Sequence, residues 1–237
     1  MKTATRFENC QLCVSLGEAT SVQLLQSLAK ATQWADLIEI RLDKMTSLNV
    51  DSLKMIKQQA ACPFILTLRK ASHGGDFKDT EQERFEVLHS LLLSLKPAFI
   101  DLEADTPMHF IQALRKISPH TQWIISWHDL KETPHDLDAL YQQISQYQAD
   151  YYKIVTYANT TTDALRMLNF SLKHNQQKRK LCGLCMGKFG QPTRLLGPIV
   201  GHPFTFASLE KGKETAPGQI TAEDLVCTYR FREINPK

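Results

Sequence analysis

The sequence predicts a single (β/α)8 barrel, on three observations. Eight apolar, β-rich segments alternate with helical patterns along nearly the whole chain, an order typical of a parallel sheet. The length of 237 residues suits a compact closed barrel. The first strand is followed by one glycine, Gly17, and lacks the glycine-rich fingerprint of an open dinucleotide-binding sheet. Because no linker of flexible composition divides the chain, we predict one domain over residues 1–237.

The predicted strands are short runs of apolar, β-branched and aromatic residues bounded by polar or turn-forming residues. They are Gln11–Leu16, Leu37–Asp43, Phe64–Arg69, Ala98–Glu103, Gln122–His128, Tyr151–Ala158, Leu181–Met186 and Phe204–Leu209. Successive side chains of a strand point to opposite faces, so alternate residues of each strand are expected inside the barrel.

The predicted helices carry apolar residues at helical spacing. They are Thr20–Thr32, Val50–Gln59, Thr80–Leu93, Pro107–Ile117, Pro134–Tyr147, Thr161–Lys173 and Thr221–Tyr229. Pro107 and Pro134 stand at expected first helical positions. Thr221, with Asp224 three residues on, predicts an N-terminal cap. Residues 231–237 follow the last helix and are interpreted as a tail, or as a cut at a domain junction.

The composition is typical of a globular protein with a sizeable core, since 43% of the residues are hydrophobic and 22% are charged. The formal charge of +3 is too small and too evenly spread to favour nucleic acid as a partner. No run has the length of a signal peptide's apolar core or of a membrane span. We therefore expect a cytoplasmic protein with neither a nucleic-acid nor a membrane partner.

The six cysteines include two CxxC pairs, which together resemble a zinc-binding pattern. The pairs are Cys10/Cys13 and Cys182/Cys185. Each pair lies in a predicted strand, where positions three apart point to opposite faces. We therefore expect no metal site, and cysteines that are reduced residues of the core.

A lysine lies in the middle of the sixth predicted strand. Lys153 is flanked by tyrosine and β-branched residues, among which an ammonium group is costly to bury. A buried lysine reduces that cost by losing its proton, which makes it a nucleophilic amine suited to Schiff-base chemistry on a carbonyl. The alternative is an edge strand that leaves the lysine in water.

Ionisable residues at five consecutive predicted strands favour the chemical interpretation. They are Glu39, Arg41 and Asp43 on the second strand, Arg69 on the third, Asp101 and Glu103 on the fourth, His128 on the fifth and Lys153 within the sixth. Active sites of such barrels form at the carboxyl ends of the strands. Each of these groups would need a buried partner if its role were structural, so a shared active site explains the pattern better.

The residue types indicate carbonyl chemistry on a substrate that carries a carboxylate. His128 is the one histidine of eight at a strand end, and its intrinsic pKa suits proton transfer in both directions. Arg41, Arg69 and Arg194 are candidates for binding the carboxylate, since a guanidinium group matches its geometry. For Arg41, an ion pair with Glu39 in the same strand is the alternative.

Two loops complete the candidate site. Residues 186–194 follow the seventh strand and contain two glycines and Pro192, a tight turn into a short helix where backbone amides and Arg194 can receive an anion. Residues 210–219 follow the eighth strand and are polar. They are either a surface loop or a lid.

The ordered set of motifs resembles type I 3-dehydroquinate dehydratase. The motifs are Glu39-Ile-Arg-Leu-Asp43, Thr67-Leu-Arg69, Asp101-Leu-Glu103, Ser126-Trp-His-Asp129, Lys153-Ile, Met186-Gly187 with Thr193-Arg194, and Thr215-Ala-Pro-Gly-Gln219. The resemblance implies a (β/α)8 barrel, usually a homodimer, that dehydrates 3-dehydroquinate to 3-dehydroshikimate in the shikimate pathway with neither metal nor cofactor. In some organisms this domain is fused ahead of a shikimate dehydrogenase domain. A chain cut at the junction between two such domains would end near Lys237.

The resemblance also implies a role for each site residue. Lys153 forms an imine with the C3 ketone of the substrate, and His128 is the general acid and base. Arg194 binds the substrate carboxylate. The remaining positions are Glu39, Arg41 and Arg69 around the substrate hydroxyls, Met186 in the wall near the lysine, and Thr215 and Gln219 in the lid.

Three residues depart from the pattern of the family. His73 precedes two glycines where the family often has a glutamate in contact with the catalytic histidine, so the charge around His128 is expected to differ. Thr215 replaces a common serine and keeps the hydroxyl group. Leu184 replaces a common methionine, which is a mild apolar exchange.

Two other functions fit parts of the pattern. A Schiff-base aldolase also places its lysine on the sixth strand of a barrel, but a sugar-phosphate substrate favours more phosphate-binding amides and no carboxylate-binding arginine. A non-catalytic barrel, kept for dimerisation or as a module of a larger protein, is favoured only by His73. The presence of Lys153, His128 and Arg194 argues against such a loss of activity.

Overall fold

The computed structural model describes residues 10–233, with side chains up to Tyr229, and shows the predicted barrel. Its strands are β1 (Gln11–Leu16), β2 (Leu37–Arg41), β3 (Phe64–Thr67), β4 (Phe99–Glu103), β5 (Gln122–His128), β6 (Tyr151–Tyr157), β7 (Leu181–Met186) and β8 (Phe204–Ser208). The pairs from β1 to β7 and the pair of β1 with β8 are all parallel. The (β/α)8 fold is therefore confirmed.

An α-helix follows each strand. The helices are α1 (Ser21–Ala31), α2 (Val50–Gln59), α3 (Glu81–Leu95), α4 (Met108–Ile117), α5 (Leu137–Ser145), α6 (Thr161–Gln176), α7 (Gln191–Leu195) and α8 (Ala222–Glu233). Capping boxes begin three of them, with Thr20, Thr80 and Thr160 as the cap residues. The predicted cap of α8 is confirmed, because the Asp224 N–H donates to Thr221 Oγ1 at 3.1 Å.

β7 and β8 stand at the two ends of the strand order and meet at the seam of the barrel. Cys182 Sγ donates a hydrogen bond to the Phe204 carbonyl oxygen at 3.2 Å. The Gly183 N–H donates to His202 Nε2 at 3.3 Å. A Cβ atom on Gly183 would lie 2.3 Å from Ser171 Oγ, so the absence of a side chain lets α6 pack closely on β7 at this seam.

Two apolar clusters stabilise the described barrel. The interior cluster consists of Cys13, Leu37, Ile65, Phe99, Ile124, Val155, Cys182, Leu184, Met186, Phe204 and Phe206. The larger cluster lies between the strands and the helices. Leu37, Phe99 and Phe204 are the first residues of their strands. The interior cluster therefore forms an apolar floor, above which polar side chains collect at the carboxyl ends.

The two CxxC pairs divide between these clusters. Cys13 and Cys182 belong to the interior cluster, whereas Cys10 and Cys185 belong to the outer one. The prediction that the two members of each pair point to opposite faces is thus confirmed, although Cys10 lies just before β1 and not within it. Burial raises the pKa of all four thiols, so they are protonated at neutral pH. Among residues 10–229 there is no group of three or more His, Cys, Asp or Glu side chains that could hold a metal ion.

Several of the predicted boundaries are wrong, among them the end of β3, which is Thr67 instead of Arg69. Two of the differences have clear local reasons. β2 ends at Arg41, two residues before its predicted end, because Leu42–Lys44 form a 3-10 turn. α5 begins at Leu137 instead of Pro134. Its N-cap is Asp136, whose Oδ1 accepts a backbone N–H at 2.8 Å and fixes the start of the helix.

The last predicted helix is longer than expected. α8 continues past Tyr229 to Glu233, which takes in part of the predicted tail. The remainder of that tail, residues 234–237, lies outside the described residues.

Pro107 is the N-cap of α4, not its first helical residue. No helix in the described part of the chain has the length and apolarity needed to cross a membrane.

Candidate active site

A cavity of about 310 Å³ opens at the carboxyl ends of the strands. The predicted site residues that line it are Glu39, Arg41, Arg69, His128, Lys153, Met186, Arg194, Thr215 and Gln219. The structure therefore brings all nine together. The volume lies at the small end of the range for small-molecule sites.

Lys153 lies in the middle of β6 and is almost fully buried. Its Nζ donates to Asp101 Oδ2 at 3.0 Å and lies 3.5 Å from Glu39 Oε1. The same atom lies over the ring of Phe206, 4.1 Å from its centroid. β6 pairs with both β5 and β7, so the alternative of an edge strand with a solvated lysine is wrong.

The protonation state of Lys153 differs from the expectation of a free amine. Burial by itself lowers the pKa of the ammonium group. The carboxylates of Asp101 and Glu39 outweigh burial, and the pKa of Lys153 is raised. The prediction was wrong because two carboxylates from other strands converge on the lysine. The proton must leave before the amine can attack a carbonyl.

Glu39 in β2 is held by two hydroxyl groups on the neighbouring strands. Ser15 Oγ donates to Glu39 Oε2 at 2.7 Å, and Thr67 Oγ1 donates to Oε1 at 2.9 Å. Burial alone would raise the pKa of Glu39, but the charges of Lys153 and Arg41 lower it. Glu39 is therefore a fixed carboxylate on one side of the lysine.

Arg41 pairs with Asp43 and not with Glu39. Arg41 Nε and Nη2 donate to the two Asp43 carboxylate oxygens at 3.0 and 2.8 Å. Asp43 also accepts the backbone N–H groups of Arg69 and Asp76, each at 3.2 Å. The predicted alternative of an ion pair with Glu39 is wrong, because the chain leaves the strand directly after Arg41 and brings Asp43 back to it.

Arg69 lies just past β3 and links β4 to β5. Its Nη2 pairs with Asp101 Oδ2 at 2.8 Å, and its Nη1 donates to Glu103 Oε1 at 3.0 Å and to Ser126 Oγ at 2.7 Å. Glu103 also pairs with the buried Arg84 of α3. Each charge in this group therefore has an opposite charge beside it.

Asp101 is the site residue to which sequence reasoning assigned no role. It accepts hydrogen bonds from Lys153 and, at 2.6 Å, from Ser126 Oγ. Burial alone would raise the pKa of Asp101, but the charges of Arg69 and Lys153 hold it well below its usual range. The available signal was the alternation of Asp101 and Glu103 along β4, which places both on the interior face with the lysine.

Arg194 is the buried cation of the cavity that has no carboxylate partner among the described residues. It lies in α7, the residue is 2% exposed, and its Nε is buried without a hydrogen-bond partner among the described residues. Burial lowers its pKa to about 10, so it remains a cation at neutral pH. Arg41, Arg69 and Lys153 each contact a carboxylate. The positive charge of Arg194 is therefore available to an anionic ligand.

His128 ends β5 and lines the same cavity. Burial, and then the positive charges of Arg69 and Lys153, hold its pKa well below the usual value for a histidine. The ring is therefore neutral at pH 7 and can accept a proton. Residue 73 lies beside it as expected: the rings of His73 and His128 meet edge to face, with centroids 5.6 Å apart.

The loop of residues 210–219 lies across one side of the cavity. The Thr215 carbonyl oxygen accepts a hydrogen bond from Arg41 Nη1 at 3.3 Å. Gly218 has a φ of +78°, and a Cβ atom there would lie 2.5 Å from the carbonyl oxygen of Gly187. This close approach to the end of β7 requires glycine. The loop thus contacts both β2 and β7 and covers the space between them.

The fold and the cavity define the class of the protein: an enzyme built on a (β/α)8 barrel, with a lysine, a neutral histidine and an unpaired arginine in one pocket. A family model for type I 3-dehydroquinase matches residues 12–236. The 3-dehydroquinate dehydratase of Dehalococcoides mccartyi is 31% identical over 224 residues, which are 93% of this chain and 94% of that relative.

Two further comparisons agree. The bifunctional chloroplastic 3-dehydroquinate dehydratase/shikimate dehydrogenase of Arabidopsis thaliana is 36% identical over 206 residues, which are 85% of this chain and 34% of that protein. The crystal structure of 3-dehydroquinate dehydratase from Geobacillus kaustophilus superposes with a TM-score of 0.85 at 21% identity, covering 96% of this chain and 93% of that one. At that identity the superposition supports the fold alone.

The chain belongs to the type I 3-dehydroquinase family, whose members are 3-dehydroquinate dehydratases. The family resemblance of the motifs is thereby confirmed. Membership decides against the aldolase and against the non-catalytic barrel. The chain spans nearly the full length of the single-function relative and about a third of the bifunctional one.

Proposed function

We propose that the cavity dehydrates 3-dehydroquinate to 3-dehydroshikimate through an imine between Lys153 and the C3 ketone of the substrate. The observation that carries this proposal is that Lys153, His128 and the unpaired Arg194 line one cavity. The lysine supplies a nucleophile, the neutral histidine supplies a base, and the free guanidinium group matches a carboxylate.

The ammonium group of Lys153 must first lose its proton. His128 is suited to accept it, because its ring is neutral and it lies on the strand next to that of the lysine. Asp101 and Glu39 make this step harder, since they favour the positive charge. The same carboxylates favour the protonated imine that follows, because it carries its positive charge on the same nitrogen.

The covalent steps then balance without a cofactor. The amine attacks C3, and His128 gives the proton it took from Lys153 to the carbonyl oxygen. Loss of that oxygen as water gives the protonated imine and leaves the His128 ring neutral again. His128 removes a proton from C2, and the electron pair of that C–H bond moves into the imine to form an enamine. The enamine electrons return and expel the C1 hydroxyl, which His128 protonates as it leaves. His128 then assists the attack of water on the conjugated imine, whose hydrolysis releases 3-dehydroshikimate and restores Lys153.

A direct assay tests the reaction. Purified protein is mixed with 3-dehydroquinate, and formation of the conjugated product is followed by its ultraviolet absorption. We expect turnover that quinate-like carboxylates inhibit and sugar phosphates do not. No absorbance change, or inhibition by sugar phosphates alone, would contradict the proposed substrate.

Arg194→Met is expected to raise KM by about 10- to 100-fold, because a charge-assisted hydrogen bond to the substrate carboxylate is lost. The melting temperature should not fall, since no carboxylate of the protein is left unpaired. Steady-state kinetics and thermal unfolding check both expectations. Lys188→Met, which removes an exposed cation from the same loop, is the matched control and should leave KM unchanged. An unchanged KM in Arg194→Met would remove Arg194 from substrate binding.

The pH dependence of kcat/KM should reflect the depressed pKa of His128. An ordinary histidine is half protonated at about pH 6.5. In the folded enzyme burial and the nearby cations delay this protonation to lower pH, so the base stays active. We expect kcat/KM to hold its value from pH 7.5 to pH 6.5 and to fall only at more acidic pH. A fall in kcat/KM with its midpoint at or above pH 6.5 would contradict this assignment.

We propose two further properties from the family alone. A homodimer is expected, and light scattering of the eluted protein should then give twice the chain mass of 27.0 kDa. Fusion ahead of a shikimate dehydrogenase domain is proposed from the bifunctional relative, which is much longer than this chain. Mass spectrometry of the native protein distinguishes a fused chain from one of about 27.0 kDa.

A further inference from the structure

Asp105 and His73 form a pair of side chains behind His128 that the proposed mechanism does not use. Asp105 lies in the loop after β4, and its Oδ2 is 3.3 Å from His73 Nε2. The His73 ring then meets the His128 ring at an interplanar angle of 90°. Nδ1 of each histidine is buried and has no hydrogen-bond partner among the described residues. Two buried nitrogens on adjoining rings leave one hydrogen bond to be made between them.

We propose that Asp105 and His73 set the tautomer of His128 through a chain of two hydrogen bonds. The ionised Asp105 accepts the N–H of His73 Nε2, which leaves a lone pair on His73 Nδ1. That lone pair accepts the N–H of His128 Nδ1 after a rotation of the His128 ring. His128 Nε2 then keeps its lone pair free as the base of the cavity. Asp105 and His73 are positioning residues in this arrangement, because they act through His128.

The electrostatic surroundings of Asp105 support the first hydrogen bond. The Asp105 side chain is 55% exposed, and its partial burial by itself raises its pKa, but the hydrogen bonds from His73 and Lys70 hold that pKa well below its usual range. Lys70 Nζ lies 2.6 Å from Asp105 Oδ1, and on its other side 3.1 Å from Glu81 Oε1. Asp105 is therefore ionised at neutral pH, as the proposed arrangement requires. Burial, and then the charge of Asp105, raise the pKa of the neighbouring Tyr147.

The charges around His128 explain why a hydrogen bond from its protonated ring to His73 would help catalysis. Burial and the charges of Arg69 and Lys153 oppose a positive charge on the ring, and Asp101 is the carboxylate that favours it. After His128 takes up a proton, its Nδ1–H is a charge-assisted donor, and His73 Nδ1 is the acceptor. By holding the proton of the neutral His73 ring on Nε2, Asp105 leaves Nδ1 as the acceptor. The inference rests on the proposed role of His128 as general acid and base.

The tautomers can be measured without turnover. In protein labelled with ¹⁵N at histidine, nuclear magnetic resonance reports which ring nitrogens carry protons. In the empty wild-type enzyme we expect His73 protonated on Nε2 and His128 on Nδ1. Asp105→Leu should shift both rings to mixed tautomers. Lys70→Met, which removes the other partner of Asp105, is the matched control and should change neither ring.

Steady-state kinetics and their pH dependence provide a second test of the proposed hydrogen-bond chain. Asp105→Leu is expected to lower kcat about tenfold at unchanged KM, and to move the acid limb of the pH profile to lower pH, because the charged ring loses support. His73→Glu should move that limb to higher pH, because a carboxylate then adjoins the His128 ring. A merely structural Asp105 would lower the melting temperature in both Asp105→Leu and Lys70→Met and leave the tautomers unchanged.

The outcomes separate this inference from the proposed function. Wild-type His73 protonated on Nδ1, or tautomers and pH profile that Asp105→Leu leaves unchanged, would overturn the inference even if the enzyme dehydrates 3-dehydroquinate. Absence of dehydration by the wild-type protein would overturn the proposed function. The nuclear magnetic resonance measurement would still show which tautomers His73 and His128 adopt. If Asp105→Leu does not fold, the wild-type spectrum and the shift in His73→Glu decide.

Discussion

Lys153→Ala is expected to lower kcat by about four orders of magnitude or more, because no other residue can form the imine in that position. Such a loss corresponds to about 5.5 kcal/mol of activation free energy. It is measured by following the conjugated product at saturating substrate. Residual turnover within about tenfold of the wild type would show that the lysine is not the nucleophile.

The ion pairs of Lys153 require a second variant to interpret that loss. Alanine leaves Asp101 and Glu39 without the ammonium group between them, so we expect the free energy of unfolding to fall by about 3 kcal/mol. Lys153→Arg keeps the positive charge but cannot form an imine. It should retain more stability than the alanine variant and be equally inactive. Activity that returns with arginine would assign the lysine an electrostatic role.

His128→Ala should slow turnover by about 10²- to 10⁴-fold, the range usual for general acid–base catalysis. The proposed mechanism uses His128 to accept the Lys153 proton, in dehydration and in imine hydrolysis. We expect the two later steps to slow more than imine formation, so the covalent adduct should accumulate during turnover. Rapid quenching followed by mass spectrometry of the intact chain measures the fraction of enzyme that carries the adduct.

A histidine at the other end of the barrel provides the control for that experiment. His120 is exposed and lies just before β5, whereas His128 is its last residue. His120→Ala should have normal kcat and no excess adduct. Normal turnover in His128→Ala would remove histidine from the mechanism. A slow His128→Ala enzyme without adduct would limit its role to the steps before or during imine formation.

The fold was predictable because it depends on patterns that are local in the chain. Each strand is a compact apolar run, and the boundaries that differ depend on single contacts. One example is Asp136, which delays the start of α5 by capping it. Another is Asp43, which leaves the predicted strand and turns back to hold Arg41. Neither contact follows from hydrophobic periodicity, because each depends on one side chain reaching one backbone or ionic partner.

The composition of the cavity was also predictable, but its charge states were not. The position of Lys153 in an apolar strand predicted burial correctly, and it predicted the wrong direction for the pKa. That direction depends on Asp101 and Glu39, which approach from strands far away in the sequence. The lack of a partner at Arg194 is likewise a property of the assembled site. The contact of Asp105 with His73 could not be predicted from the sequence around either residue, because the two lie in loops after different strands.

Reductive trapping tests the proposed imine most directly. The enzyme is incubated with 3-dehydroquinate and borohydride, digested, and its peptides are sequenced by mass spectrometry. The account predicts one reduced adduct, on Lys153, that requires the ketone and is absent from Lys153→Arg. An adduct on any other lysine, or inactivation of the enzyme without an adduct on Lys153, would contradict it.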